Sequence, residues 1–175
     1  NNTAMGYALP ASIGASVSSI SKPVICIVGD GSLQMNIQEL ATVVHYKLPI
    51  KVILLNNHGY SMIQQTQDQW LDSKYIASSK DGGVPDPNYC EIANAYKFKT
   101  FSIGRNKDIH EVLTEVYKTD GPVFCEVNLM PEHRVAPQVK YGRPIEDSTP
   151  LLNRIDFIQQ MIIPMLDISK KSDIS

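Results

Sequence analysis

Short, continuous apolar runs alternate along this 175-residue chain with stretches of helical spacing. That order predicts an α/β fold, a doubly wound parallel sheet with helices on both faces. Two observations carry the prediction. The runs Val24–Val28, Ile50–Leu55 and Val123–Val127 are apolar nearly throughout, as in strands buried on both faces. The segments between them carry apolar residues at spacings of three and four.

The first run ends at Gly29. From Leu33 the residues Leu33, Ile37, Leu40, Ala41, Val44 and Leu48 make one helix face, which Pro49 stops before the strand Ile50–Leu55. Strand, helix and strand form a unit expected to be parallel and right-handed. Residues 66–85 have little periodicity, contain Gly82-Gly83, and read as a long loop, a kind that often serves as a lid or binding loop. Asp86-Pro87 provides an N-cap and a proline at the first helical position, opening a helix through about Tyr96. Thr100–Ile103 reads as a strand. Asn106 is expected to cap a helix carrying Ile109, Val112, Leu113 and Val116, before the turn Asp120-Gly121-Pro122 and the strand Val123–Val127.

These elements place a domain at residues 1–130. Pro131, Pro137, Pro144 and Pro150 then predict an extended arm, and helical spacing returns from Leu151 to Ile163, so residues 131–175 read as a C-terminal arm and terminal helix of the same domain. The chain opens at Asn1-Asn2 without methionine and leads straight into helical spacing, as expected of a piece of something longer.

Composition narrows the function classes. A net charge of −2 with no basic stripe argues against nucleic acid, and Lys170-Lys171 reads as a solvated tail. The sequence contains no signal peptide and no apolar run long enough to span a membrane. Cys26, Cys90 and Cys125 are widely spaced, without a CxxC pair, and read as buried thiols in a reducing, cytoplasmic setting.

The chemistry is concentrated in Gly29-Asp30-Gly31-Ser32 and Asn56-Asn57, an acidic and an amide loop closing two buried strands. In open α/β sheets ligands bind beyond the carboxyl ends of the strands. Neighbouring strands lie about 4.8 Å apart, so both loops can reach one ion. Magnesium takes oxygen ligands and few carboxylates, a demand met by one aspartate, one asparagine and a backbone carbonyl with diphosphate and water. Gly29 and Gly31 are expected to permit unusual backbone angles and close approach of phosphate, while Ser32 and the following helix turn supply donors. Rival phosphate motifs fail. GxxxxGK[ST] is absent. Gln34 and Lys51 stand where a dinucleotide fingerprint needs glycine and an acidic residue, and Gln34 also removes the second aspartate of a haloacid-type phosphatase.

Gly-Asp-Gly-Ser followed by Asn-Asn resembles the thiamine diphosphate signature. Ala4-Met5-Gly6-Tyr7-Ala8-Leu9-Pro10-Ala11-Ser12-Ile13-Gly14, Gln34–Leu40 and Leu48–Val52 resemble the C-terminal diphosphate-binding domain of acetolactate synthase-like enzymes over nearly the whole chain. That resemblance implies a Rossmann-like three-layer sandwich with thiamine diphosphate and Mg2+ as cofactors. By it, Asp30 and Asn57 ligate magnesium through side chains and Gly59 through its carbonyl. Gly29, Gly31 and Ser32 hold the diphosphate end. Tyr60, Ser61 and Met62 continue the cradle at the start of a short helix, the backbone near Thr3 meets the aminopyrimidine, and Met5 supports the bent cofactor. His58 receives no role beyond the loop.

The implied reaction is decarboxylation of a 2-keto acid with transfer of the remaining fragment to a second carbonyl. The implied partner is the pyrimidine-binding domain of the same enzyme, on the other subunit of a homodimer or tetramer. That domain carries the activating glutamate, so no residue of this chain is expected to be catalytic, and the chain alone is expected to be inactive. One departure bears on substrate: threonine at Thr66 stands where biosynthetic members carry tryptophan, and Trp70 is not an obvious substitute. A non-catalytic binding or assembly module, and a benzoylformate- or oxalyl-CoA-type decarboxylase, are the alternatives.

Overall fold

The computed structural model describes residues 4–19, 22–140 and 142–170. It separates into two compact units, residues 1–133 and 134–175.

In the first unit the chain runs through α1 (Ala8–Ser18), β1 (Val24–Gly29), α2 (Asp30–Gln34), α3 (Leu40–His45), β2 (Ile50–Asn56), α4 (Ser61–Trp70), α5 (Tyr89–Ala95), β3 (Lys99–Ile103), α6 (Ile109–Lys118) and β4 (Val123–Asn128). Among the described residues the strands form one all-parallel sheet in the order β1-β2-β4-β3, the α/β architecture the apolar runs predict. Alternation along each strand divides its side chains between two faces. On one, Cys26, Val28, Ile50, Val52, Leu54 and Phe124 pack with Leu9, Leu33, Leu40, Val43, Tyr89 and Ala93 from α1, α2, α3 and α5. On the other, Ile53, Val123, Cys125 and Ile103 meet Val112, Leu113 and Val116 of α6. This second face is covered unevenly: Ile25 and Ile27 of β1 remain 52% and 62% exposed.

The single helix expected from Leu33 to Leu48 is broken. α2 ends at Gln34, a 3-10 turn spans Ile37–Glu39, and α3 follows. At the break Asn36 leaves helical geometry (φ −148, ψ 37) and turns its amide onto the Gly6 carbonyl. The apolar period survives because Leu33, Leu40 and Val43 still face one core. α3 and α5 end alike: Lys47 and Lys97 take left-handed conformations, with Leu48 N–H donating to the Val43 carbonyl and Phe98 N–H to that of Ala93.

Three further expectations are corrected. Residues 66–70 are helical, the last turns of α4, so the loop starts only after Trp70. The cap of α5 is Asn88, whose side chain accepts from Glu91 N–H, and Asp86 is used elsewhere. Asn106 makes no side-chain cap; it opens the 3-10 turn Asn106–Asp108 ahead of α6.

The second unit is organised by Asp147 rather than extended as its prolines suggest. The Asp147 carboxylate is buried between Arg143 at 2.8 Å and Arg154 at 3.0 Å, and Arg154 also donates to the Ser169 carbonyl and stacks over the Phe157 ring. α7 (Arg154–Gln160) is shorter than the helix expected over 151–163, because Asn153 caps it by accepting from Ile155 N–H. Among the described residues no helix is long and apolar enough to cross a membrane.

Candidate functional site

Parallel pairing of β1 with β2 sets Gly29 beside Leu55, so Asp30 and Asn57 leave the sheet at nearly the same height. Asp30 is the first residue of α2, with extended Gly29 as its N-cap; the acidic segment expected as a loop is the start of a helix. The Asp30 carboxylate is buried. Its Oδ1 accepts from Gly31 N–H at 2.8 Å and its Oδ2 from Gly59 N–H at 2.9 Å. Burial pushes the Asp30 carboxyl up from its ordinary value; the Gly31 and Gly59 N–H groups and His58 oppose that, and Asp86 adds to it. A cation at this place would relieve the same cost.

Asn57 supplies the complementary feature. Its Oδ1 is buried without a hydrogen-bond partner among the described residues. An unmet buried acceptor costs about 1–3 kcal/mol, so its presence on the turn whose Gly59 N–H meets the buried Asp30 carboxylate marks a place where an electropositive group fits. Among the described residues no three His, Cys, Asp or Glu side chains gather as a metal cluster. Asp30 and Asn57 thus offer one carboxylate and one amide oxygen, a pairing that would suit a hard cation completed by phosphate and water.

Gly59 sits where a side chain cannot: an added Cβ would lie 2.6 Å from the Ser78 carbonyl. The loop after α4 is held to this turn. Gly59 bridges Ser79, and Tyr60 N–H donates to the Ser78 carbonyl, which also accepts from buried Gln64. Buried Gln67 bonds both Ser78 and the Ile76 carbonyl. His58 has a partner after all, since its Nδ1 lies 3.1 Å from Asp86 Oδ1.

Met5, Gly31 and Tyr60 come together. A Cβ on Gly31 would fall on the Tyr60 ring and 3.1 Å from the Met5 methyl. The requirement for glycine at 31 is thus steric. Gly29 has ordinary extended geometry (φ −81, ψ 159) and open surroundings, so neither glycine uses the unusual angles expected of it. Ser32 Oγ accepts from Gly6 N–H at 2.9 Å, which leaves its own hydrogen to donate. Asn36 donates to the Gly6 carbonyl, so both polar groups of Gly6 (φ +81) are fixed by side chains of the α2 region.

Other expected cradle residues are placed less centrally. The Ser61 hydroxyl donates to the His133 carbonyl at 3.1 Å, and Met62 is half-exposed on α4. Their described side-chain contacts do not join Asp30. Thr3 lies outside the described residues. Sequence reasoning missed Asn36, Asp86, the Gln64–Gln67–Ser78 cluster and Glu126. Only Glu126 had a signal, a charge inside an otherwise apolar strand.

Residues 1–127 match the family described as thiamine pyrophosphate enzyme, C-terminal TPP binding domain. The chain belongs to this family. The TPP-binding domain is 37% identical over 139 residues to an acetolactate synthase large subunit of Porphyra purpurea, an alignment covering 79% of this chain and 23% of that protein. It is 34% identical over 138 residues to the acetolactate synthase isozyme 1 large subunit of Escherichia coli, covering 79% and 24%. A mitochondrial acetolactate synthase of Schizosaccharomyces pombe is 34% identical over 141 residues, covering 81% and 20%. The match therefore spans less than a quarter of the length of these relatives. The resemblance stated from Asp30, Asn57 and the flanking segments is to the right family, and the carboxylate–amide pair lies inside the matched residues.

Proposed function

We propose that this TPP-binding domain holds the magnesium–diphosphate end of thiamine diphosphate in an acetolactate synthase-like enzyme acting on 2-keto acids. One observation carries the reading: the buried Asp30 carboxylate accepts from Gly59 N–H, on the same turn as Asn57, whose Oδ1 has no partner among the described residues. In it, Asp30, Asn57 and the Gly59 carbonyl hold Mg2+. The Ser32 hydroxyl, already accepting from Gly6, donates to a diphosphate oxygen. Met5 and the Tyr60 ring, packed against Gly31, form the apolar floor.

When bound, the cofactor supplies the carbanion chemistry that cleaves the bond beside a 2-keto group. This chain's residues contribute binding and orientation. The pyrimidine-binding domain and homodimeric or tetrameric assembly belong to the proposal through the motif resemblance, and a cytoplasmic setting through the widely spaced cysteines without a CxxC pair. Thr66, exposed on α4 with its hydroxyl donating to the Met62 carbonyl, favours acceptor chemistry different from that of enzymes with tryptophan there.

Calorimetry with MgCl2 and thiamine diphosphate tests the site. The expected result is Mg2+-dependent binding that is lost in Asp30→Ala. Absence of binding, or binding unchanged by that substitution, overturns the reading. A 2-keto acid screen on the full-length protein tests the substrate class.

A further inference from the structure

We propose that Glu126 and Asn56 form a positioning pair that sets the turn 57–59 for its cation; the inference rests on the reading of that turn as a magnesium site.

Asn56 is the member of the Asn-Asn signature without an assigned ligand role. It is 1% exposed, and both ends of its side-chain amide are committed. Its Oδ1 accepts from His58 N–H at 3.0 Å, and its Nδ2 donates to Glu126 Oε1 at 2.7 Å. The orientation of the amide is fixed from both ends, since a flip would set donor against donor and acceptor against acceptor. The Asn56 carbonyl accepts from Leu129 N–H at 2.8 Å.

Glu126 is held in turn. Its Oε2 accepts from the Cys90 thiol of α5 at 3.3 Å. Burial first, then the Glu126 hydrogen bond, push that thiol up to about 12, so it stays protonated and remains a donor. The result is one chain of hydrogen bonds across three elements, linking Cys90, Glu126, Asn56 and the His58 peptide. A carboxylate on β4 thereby grips the residue that opens the cation turn without facing the cation.

The turn needs such a grip. His58 is a non-glycine residue at φ +60, a conformation that persists only where the surroundings enforce it. It stands between Asn57, whose buried Oδ1 has no partner among the described residues, and Gly59, whose N–H holds Asp30. Rotating His58 back to an ordinary conformation would turn both neighbours away. Groups that orient metal ligands in this manner change metal affinity by roughly 10–100-fold when removed.

The pair has a chemical signature that tests it. In Asn56→Asp, the new carboxylate still accepts from His58 N–H but opposes Glu126. Adding Glu126→Gln restores a donor–acceptor match, with the glutamine amide donating to the new carboxylate and its carbonyl accepting from Cys90. The experiment measures, on the purified protein, the MgCl2 concentration needed for half-maximal binding of thiamine diphosphate by calorimetry, with melting temperature recorded in parallel. The expected result is a roughly 10–100-fold higher Mg2+ requirement in Asn56→Asp, a return toward wild type in the double variant, and little change at saturating Mg2+. Wild-type Mg2+ dependence in a folded Asn56→Asp, or no rescue by Glu126→Gln, overturns the proposal. A lowered melting temperature with unchanged Mg2+ dependence also overturns it, since the pair would then be purely structural. Wild-type protein that binds no cofactor would instead refute the magnesium reading itself.

Discussion

Asp30 Oδ2 accepts the Gly59 N–H at 2.9 Å, one bond joining the ends of two parallel strands. It gathers the carboxylate and the amide turn before any cation arrives. Asp30→Ala is expected to abolish the rise in melting temperature with MgCl2 and thiamine diphosphate. It also leaves the N–H groups of Gly31 and Gly59 unpaired, a cost of about 1–3 kcal/mol each where water cannot replace the acceptor.

The pH dependence of this site has a defined sign. Asp30 titrates above its ordinary 3.8 in the folded chain, chiefly through burial. Its contribution to the stability of metal-free protein is therefore fully present below 3.8 and lost as pH rises through the folded value. Magnesium binds the ionised form, so Mg2+ affinity is expected to climb over the same window. Melting curves with and without MgCl2 across acid to neutral pH should diverge as pH increases; parallel curves would refute the link.

Gly31 is expected to be intolerant of any side chain because the Tyr60 ring occupies the space of its Cβ. Gly31→Ala should cost roughly 1–3 kcal/mol as an overpacked contact. Adding Tyr60→Ala should recover much of that loss. Urea denaturation of the two single variants and the double variant measures the coupling.

Alkaline pH is expected to unfold the first unit through its thiols. Cys90 and Cys125 are pushed up from 9.0 to about 12 and about 11, mainly by burial. Both pKa values are raised on folding, so their contribution is complete below 9.0 and disappears as pH passes the folded values. Melting temperature should fall steeply above about pH 9, and less steeply in Cys125→Ala. Thiol reagents should label neither cysteine in the native protein near neutral pH.

Lys51, at the opposite end of β2 from Asn57, provides a control for the proposed cation site. It lies at the start of β2, buried, with Nζ donating to the carbonyls of Thr119 and Gly121. Lys51→Met should destabilise the fold by about 1–3 kcal/mol through the unpaired carbonyls. Mg2+ dependence should stay at the wild-type value, measured by the same calorimetry.

Much of this molecule was legible in residue order. The runs ending at Gly29 and Leu55 announced parallel strands, although β1 is buried on one face only, with Ile25 and Ile27 exposed; such strands deliver their following residues to one edge of the sheet, so Asp30 and Asn57 could be named together. Helix limits were less legible. The period from Leu33 to Val44 continues through a break because burial follows apolar spacing, whereas the break follows a single bond from Asn36 to Gly6. Asp86-Pro87 carries a good capping pattern, yet Asn88 takes the cap and Asp86 meets His58.

Local chemistry alone determined the strand–helix alternation, the family and the carboxylate–amide pair. These depend on residue type and near spacing, which a chain carries wherever it folds. Tertiary structure decided that Gly31 makes room for Tyr60, that Ser32 accepts from Gly6, and that Glu126 accepts from Asn56 from 70 positions away. Such relations are set by which strands lie side by side. Hydrogen-bond partners distant in sequence become neighbours only when the β1-β2-β4 register is formed.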